Sequence, residues 1–296
     1  MRRTRPNAIC IPNRTGFYNV YSSYGEFIMN TNNDLHIDLT DEQVAFFQEN
    51  GYLSIPRITT DEEIEWLKGI YDELFTGRTG EAEGRYFDLA GPRAHNGQET
   101  LPQVLGPEAQ FPELRETVYF QNAHRLAAKL LSVDTEKVSG GGHMILKPAH
   151  YGNETPWHQD EAYWNPEVLP HSLSVWLPLD KATLESGCLQ FIPESHKGEV
   201  RWHRHIDNDP LVHGLVTDDV DVSQAVACPI PAGGATFHHC RTLHYSAPNS
   251  TAEARRAYIL VFGGPPQKLN KPAHRPWQTE EQEALSKLKS LVVSDQ

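Results

Sequence analysis

In the stretch TPWHQDEAYW, Thr155 to Trp164, a histidine and an aspartate stand one residue apart among three large aromatic residues. In an extended segment residues i and i+2 share a face. His158 and Asp160 would then aim a ring nitrogen and a carboxylate oxygen at a common point, with Trp157 and Gln159 facing away. That geometry suits a metal ion, although a strand end on which His and Asp simply hydrogen-bond each other has the same sequence. A third ligand is needed, and the segment GGATFHHCRTLHYSAPNSTAEARRA offers His238, His239 and His244, followed by Arg255 and Arg256. Two histidines and one carboxylate leave three positions open on an octahedral metal, the arrangement of non-haem Fe(II) sites that react with oxygen. Zinc hydrolases use similar ligands, so ligand type alone leaves the metal open.

The elements that must position these residues change character along the chain. In LTDEQVAFFQENG, Thr40 and Gln43 form a capping-box pattern ahead of Val44, Phe46 and Phe47, and Gly51 ends the helix. Thr60 and Glu63 repeat the pattern before Ile64, Leu67, Ile70 and Leu74. Residues 75–111 read as loop and residues 113–131 as helix. Short β-type runs follow at 142–147, 172–179, 187–193, 225–231 and 256–262, separated by Gly, Pro and polar turns. A last helix over 279–293 carries Leu285, Leu288, Leu291 and Val292 on one face, predicted to pack on the body. Helices first and strands later predict an α+β fold with an antiparallel barrel or double-sheet jelly roll as its core. Residues 1–37 read as an irregular N-terminal arm and 38–296 as a single domain.

The net charge of −13 disfavours a nucleic acid or an anionic membrane as partner, since both require clustered Lys and Arg. The four cysteines, Cys10, Cys188, Cys228 and Cys240, are far apart with no CxxC pair, which points to a reducing compartment. The N-terminal residues hold no apolar run of signal-peptide length, and no later segment approaches the roughly 20 apolar residues of a membrane span. A cytoplasmic protein is expected. The sequence carries no reading of oligomeric state.

Four segments together resemble the phytanoyl-CoA dioxygenase (PhyH) family of Fe(II)- and 2-oxoglutarate-dependent oxygenases: LTDEQVAFFQENGYLSIP, LKPAHYGNETPWHQDEAYW, SVWLPLDKATLESGCLQFIPESHKG and GGATFHHCRTLHYSAPNSTAEARRAYILVF. They cover most of residues 38–262. The resemblance implies a double-stranded β-helix, a jelly-roll or cupin-like core, with helices packed on it. It implies Fe(II) held by His158, Asp160 and His244, leaving His238 and His239 as strand or lining residues. It also implies a 2-oxoglutarate site made by Arg255, eleven residues beyond His244, by Ser246, two beyond it, and by Trp176. A guanidinium there has a physical reason, because the distal carboxylate of 2-oxoglutarate needs a planar bidentate partner. Arg256 should face the other way, as a solvent-facing charge.

With O2 as the other co-substrate, such an enzyme hydroxylates or otherwise oxidises an unactivated C–H bond of a small molecule and releases succinate and CO2. Related halogenases carry Ala or Gly at the position of Asp160, so halogenation is not expected. The sequence departs from the family pattern at Glu185, Ser186 and Glu194, and at Tyr245, where glycine is usual. A small metabolite, possible natural products included, is the expected substrate, because no convincing basic cluster for a coenzyme A moiety stands near the motifs. The alternatives are an acyl-CoA 2-hydroxylase of the phytanoyl-CoA type, a zinc hydrolase on a cupin-like barrel, and a binding protein that has lost turnover.

Overall fold

The computed structural model describes the backbone of residues 20–22, 25–27, 35–91 and 98–294. The chain divides into two compact units, Met1–Ile37 and Asp38–Gln296. In the first, where an irregular arm is predicted, Val20–Ser22 and Gly25–Phe27 pair antiparallel. Cys10 lies outside the described residues.

The main elements of the second unit run α1 (Asp41–Asn50), β1 (Tyr52–Ile55), α2 (Asp61–Thr76), β2 (Tyr86–Asp88), β3 (Pro102–Leu105), α3 (Val118–Leu131), β4 (Ser139–Lys147), β5 (Thr155–His158), β6 (Ser172–Pro178), β7 (Leu189–Phe191), β8 (Val226–Ala227), β9 (Ala235–His239), β10 (His244–Ser246), β11 (Arg255–Gly263) and α4 (Pro276–Ser294). One antiparallel sheet has the order β1-β9-β6-β11-β4-β3-β2, and a smaller one β8-β7-β10-β5. Neither closes on itself. This is the jelly-roll type of core the sequence predicts, with helices ahead of it and behind it.

Residue alternation on β11 shows where the core sits, since neighbours on a strand point to opposite faces. Tyr258 and Phe262 face helix α3, where they meet the rings of Tyr119 and Phe120 edge-on. The Tyr119 hydroxyl donates to the carbonyls of Val175, at 2.7 Å, and Tyr258, at 3.1 Å, tying α3 to the two central strands. Ala257 and Ile259 face inward and pack with Trp176, Leu189 and Phe191 between the sheets. Burying each such large apolar side chain contributes roughly 1.5–3 kcal/mol.

The Thr40 and Gln43 capping box of α1 forms in full, and Gly51 ends the helix at φ 79°, a left-handed conformation that glycine adopts without strain. The second predicted box does not close. Thr60 accepts from the backbone of Glu63, but the Glu63 carboxylate is buried and accepts instead from the Thr59 hydroxyl and from the backbone N–H groups of Val118 and Tyr119, at 2.7 and 3.0 Å. It thereby satisfies the free donors at the start of α3, a need that sequence distance conceals.

Residues 75–111, predicted as loop, contain β2 and β3, which extend the edge of the larger sheet. Each is too short to show a period and is held by pairing with its neighbour. Helix α4 is present, but it attaches through its first turns. Trp277 is 3% exposed, whereas Leu285 and Leu288, on the face predicted to pack, are 41% and 47% exposed. Among the described residues no helix is long and apolar enough to cross a membrane. Cys188, Cys228 and Cys240 are free and buried.

Candidate active site

Strands β5 and β10 lie side by side in the smaller sheet with His158 directly opposite His244. Their ring centroids are 4.1 Å apart. Each ring is fixed by its own strand end: Nδ1 of His158 lies 2.8 Å from the Pro156 carbonyl, and Nδ1 of His244 lies 2.9 Å from the Thr242 carbonyl. A carbonyl only accepts, so Nδ1 carries a proton in both rings and Nε2 is the nitrogen turned to the common point. Backbone anchoring of this kind orients histidine ligands of metals.

Asp160 does not continue the strand. Strand β5 stops at His158, Gln159 stays extended, and Asp160 opens a 3-10 turn that runs to Tyr163. The extended Gln159 is enough to bring the carboxylate round to the histidines. Asp160 Oδ1 lies 3.6 Å from His158 Nε2 and 3.5 Å from His244 Nε2. Its Oδ2 accepts from the Ser174 hydroxyl at 2.5 Å and from His238 Nε2 at 3.2 Å. One carboxylate oxygen is thus restrained by the larger sheet, and the other is presented beside the Nε2 atoms of two imidazoles.

Burial alone would raise the pKa of Asp160, but the neighbouring imidazoles of His244, His158 and His238 outweigh it and hold the carboxyl well below the usual range. Burial drives His244 in the other direction, well below a normal histidine, with His158 and His238 adding to the effect. A neutral imidazole beside an ionised carboxylate is the protonation state a cation requires. Among the described residues, His158, Asp160 and His244 are the set whose donor atoms all lie within 4.8 Å of one another. The donor set, with Nδ1 of both rings already committed, fits a divalent metal with open positions.

The triad lies on the wall of a cavity of about 230 Å³. Arg255 reaches this cavity from β11 and is 2% exposed. Its Nε and Nη1 are buried without a hydrogen-bond partner, and its guanidinium carbon stands 5.3 Å from the centre of the Trp176 ring. Among the described residues Arg255 forms no ion pair. Burial pulls its pKa down to about 10, so it remains a cation at neutral pH. A buried cation without a counter-charge is costly, and this one fits a ligand carboxylate received through two parallel hydrogen bonds.

Trp176 and Ser246 also line the cavity. The Ser246 hydroxyl donates to the Gly187 carbonyl at 2.8 Å, so it must rotate before donating to a ligand. Gly187, at φ 81°, permits this approach, because a Cβ there would stand 2.4 Å from the Ala247 carbonyl oxygen. Lys147 is buried and donates to the carbonyls of Ser246 and Ala247, which pins β10.

Arg256 does face away from Arg255, but it is not a free surface charge: its guanidinium pairs with Asp180 at 3.0 Å and Asp72 at 3.1 Å. Tyr163 and Trp164 wall the cavity as aromatic neighbours of the motif should. Trp157 is not in that wall and stacks on Tyr245, 5.3 Å between centroids. His239 accepts from the Arg241 backbone, and His196 meets the Gln48 carbonyl.

Sequence reasoning missed Ser174, Gln103 and His213, and read His143, which also lines the cavity, as a structural or supporting residue. The first is a buried serine between Leu173 and Val175 in strand β6, and the others line the cavity, far apart in sequence. It also missed His203, whose Nε2 accepts the backbone N–H of Gln159, between the two residues of the motif, at 3.1 Å. A buried serine in SVWLPL was a faint signal for the first, and nothing in the spacing signals the rest.

The family model described as phytanoyl-CoA dioxygenase (PhyH) matches residues 47–257. A crystal structure of EvdO2 from Micromonospora carbonacea var. aurantiaca complexed with 2-oxoglutarate is 40% identical, with a TM-score of 0.72 over 81% of this chain and 97% of that one. The structure of SnoK, a non-heme alpha-ketoglutarate-dependent carbocyclase from nogalamycin biosynthesis, is 25% identical with a TM-score of 0.59, over 77% and 85% of the two chains. Among curated relatives, an L-proline trans-4-hydroxylase of Streptomyces griseoviridis is 29% identical over 260 residues, 80% of this chain and 89% of that one.

Proposed function

Because the chain belongs to the phytanoyl-CoA dioxygenase family and is an Fe(II)- and 2-oxoglutarate-dependent dioxygenase, we propose that His158, Asp160 and His244 hold its iron and that Arg255, with Trp176 and Ser246, holds 2-oxoglutarate. The observation that carries this reading is the presence, in one cavity, of a compact His, Asp, His set and a buried guanidinium whose Nε and Nη1 have no hydrogen-bond partner. We further propose that residues 1–37 form an arm outside a single oxygenase domain over 38–296, and that the enzyme works in the cytoplasm.

Bound Fe(II), with 2-oxoglutarate and O2, supplies the oxidising power that turns a C–H bond into C–OH while succinate and CO2 are released. The chain's own contribution is positional. Pro156 and Thr242 carbonyls hold the two rings, and Ser174 and His238 hold the carboxylate, so the ligands need little reorganisation. Arg255 orients the co-substrate by its far end, and the ring of Trp176 beside it keeps water from that ion pair. Tyr163, Trp164, Leu105 and Val261 line the substrate end as largely apolar walls.

The substrate we propose is a small metabolite of natural-product type, oxidised at an unactivated carbon. Two features support it: relatives named for proline and for nogalamycin biosynthesis, and a cavity in which, among the described residues, Arg255 is the only arginine or lysine of the lining. The latter favours a molecule without a phosphate-rich handle over an acyl-CoA.

Anaerobic titration of the Fe(II)-loaded protein with 2-oxoglutarate tests the assignment through the visible charge-transfer band of the chelate. The band is expected in the wild type and lost in His244→Ala and Asp160→Ala. Arg255→Ala is expected to weaken 2-oxoglutarate binding by about 2–5 kcal/mol, as removal of one member of a buried charge pair does. Unchanged 2-oxoglutarate affinity in Arg255→Ala would remove it from the site.

A further inference from the structure

The carboxylate ligand we assign is followed immediately by a buried acid, Glu161, that the reaction does not use. Its side chain is 5% exposed and is gripped from two sides. Arg241 Nε lies 2.9 Å from Oε2 and its Nη2 3.1 Å from Oε1, while Arg275 Nη2 lies 3.0 Å from Oε1. Arg275 is itself 2% exposed at the side chain.

The two arginines come from elements that matter to the triad in different ways. Arg241 sits in the turn between β9 and β10, three residues before His244. The backbone ties the same turns together, since Glu161 N donates to the Cys240 carbonyl at 2.9 Å. Arg275 comes from just ahead of α4, beyond the residues 47–257 that the family model covers.

The start of α4 also takes up the backbone of the turn that Asp160 opens. Arg275 Nη1 donates to the Trp164 carbonyl at 2.6 Å. The Trp277 indole N–H and the Gln278 amide each donate to the Ala162 carbonyl at 2.9 Å, and that amide also reaches the Trp164 carbonyl at 2.8 Å. A short 3-10 turn leaves carbonyls unpaired at its end, and here those of Ala162 and of Trp164 just beyond it are satisfied by one outside segment.

We propose that Arg275, through Glu161, is a positioning residue for the metal centre, and that the segment Arg275–Gln278 acts as a clamp holding the Asp160 turn at a set distance from His244. The proposal rests on the assignment of Asp160 as an iron ligand. Its physical basis is that Glu161 and Arg275 are buried and Arg241 is half-buried, so the arrangement that pairs all three is strongly favoured, because displacing Glu161 or Arg275 leaves a buried charge without its partner. The turn after Asp160 and the turn before His244 share that arrangement, so the gap between the two ligands is set by it. The C-terminal helix is thereby a working part of the active site.

The test measures metal binding, not turnover. Fe(II) is titrated anaerobically into protein with saturating 2-oxoglutarate, and the visible spectrum of the Co(II)-substituted protein is recorded at saturation. Arg275→Ala is expected to weaken Fe(II) binding by about 10- to 100-fold, the usual effect of losing a group that orients a ligand, and to shift the Co(II) spectrum. Arg275→Lys keeps the charge without the fork and should fall between it and the wild type. Affinity for 2-oxoglutarate at saturating metal should stay unchanged in both, since Arg255 is untouched.

Glu161→Gln is measured alongside, so a failure of the alanine variant to fold leaves two variants to decide. A lowered melting temperature with wild-type Fe(II) affinity and an unshifted Co(II) spectrum would mean that the ion triad only stabilises the fold, and the proposal would be overturned. Asp160→Ala separates the two readings. If it too binds Fe(II) as the wild type does, the ligand assignment has failed; if it loses binding while Arg275→Ala keeps it, only the clamp has failed.

Discussion

Asp160 shows how a two-residue motif becomes a site. Its spacing from His158 puts both groups on one side of an extended Gln159, but what aims the carboxylate is Ser174 and His238, from two strands of the other sheet. Ser174→Ala is therefore expected to leave the fold intact and lower Fe(II) affinity by about 10-fold or more; wild-type affinity in that variant would show that His238 suffices alone. At Arg255 the geometry of the head group matters beyond its charge. Arg255→Lys should restore only part of the 2-oxoglutarate affinity lost in the alanine variant, since an ammonium cannot meet a carboxylate with two parallel bonds. A lysine variant binding as tightly as the wild type would show that charge alone is recognised. At this scale the pairing of His158 with Asp160 was visible locally as strand periodicity, whereas His244 and Arg255 were singled out by the resemblance to the PhyH family, with the charge need of a carboxylate as the physical reason for the arginine. Ser174 and His203 were not, because their roles come from strands brought alongside by folding.

Elements were legible where they carried their own signals and obscure where a neighbour supplied the signal. The caps of α1 and the apolar runs of β6 and β11 appear in the sequence much as they appear in the fold, while β4 begins three residues ahead of its run, in a glycine stretch that carries no strand pattern. Strands β2 and β3 do not, since their only support is the sheet edge they join. Glu63 lies between these cases: it looks like the second half of a capping box for α2, yet it serves the start of α3. Glu63→Ala would strand two buried N–H donors at an expected cost of about 2–4 kcal/mol. Calorimetry should then show a melting temperature lower by roughly 5–10 °C. A change confined to what an exposed cap loses would mean that α3 finds another acceptor.

At the scale of the whole molecule, histidine is the residue that links stability to pH. Burial pushes His143 and His203 down to about 4 and His239 down to about 3. All three are neutral in the folded state, whereas in the unfolded chain they titrate near 6.5. Below that value the unfolded state binds more protons, so stability is full above about pH 6.5 and is lost as pH falls towards 4. Protein freed of metal by chelation should show a melting temperature that declines steadily from pH 6.5 to pH 4.5; a level trace over that range would contradict the burial of these rings. The sequence by itself carried the class of fold, because period and capping are properties of neighbouring residues, and it carried the chemistry through the four segments that resemble the PhyH family, since the spacing of the histidines alone leaves both the metal and the third ligand open. Only the tertiary structure decided which side chains hold Asp160 in place, which helix Glu63 caps, and that α4 reaches the active-site turn through Arg275 and Trp277 while Leu285 and Leu288 stay exposed. Those outcomes depend on which buried charge or orphaned backbone group lies within hydrogen-bond reach, and that distance is unrelated to separation along the chain.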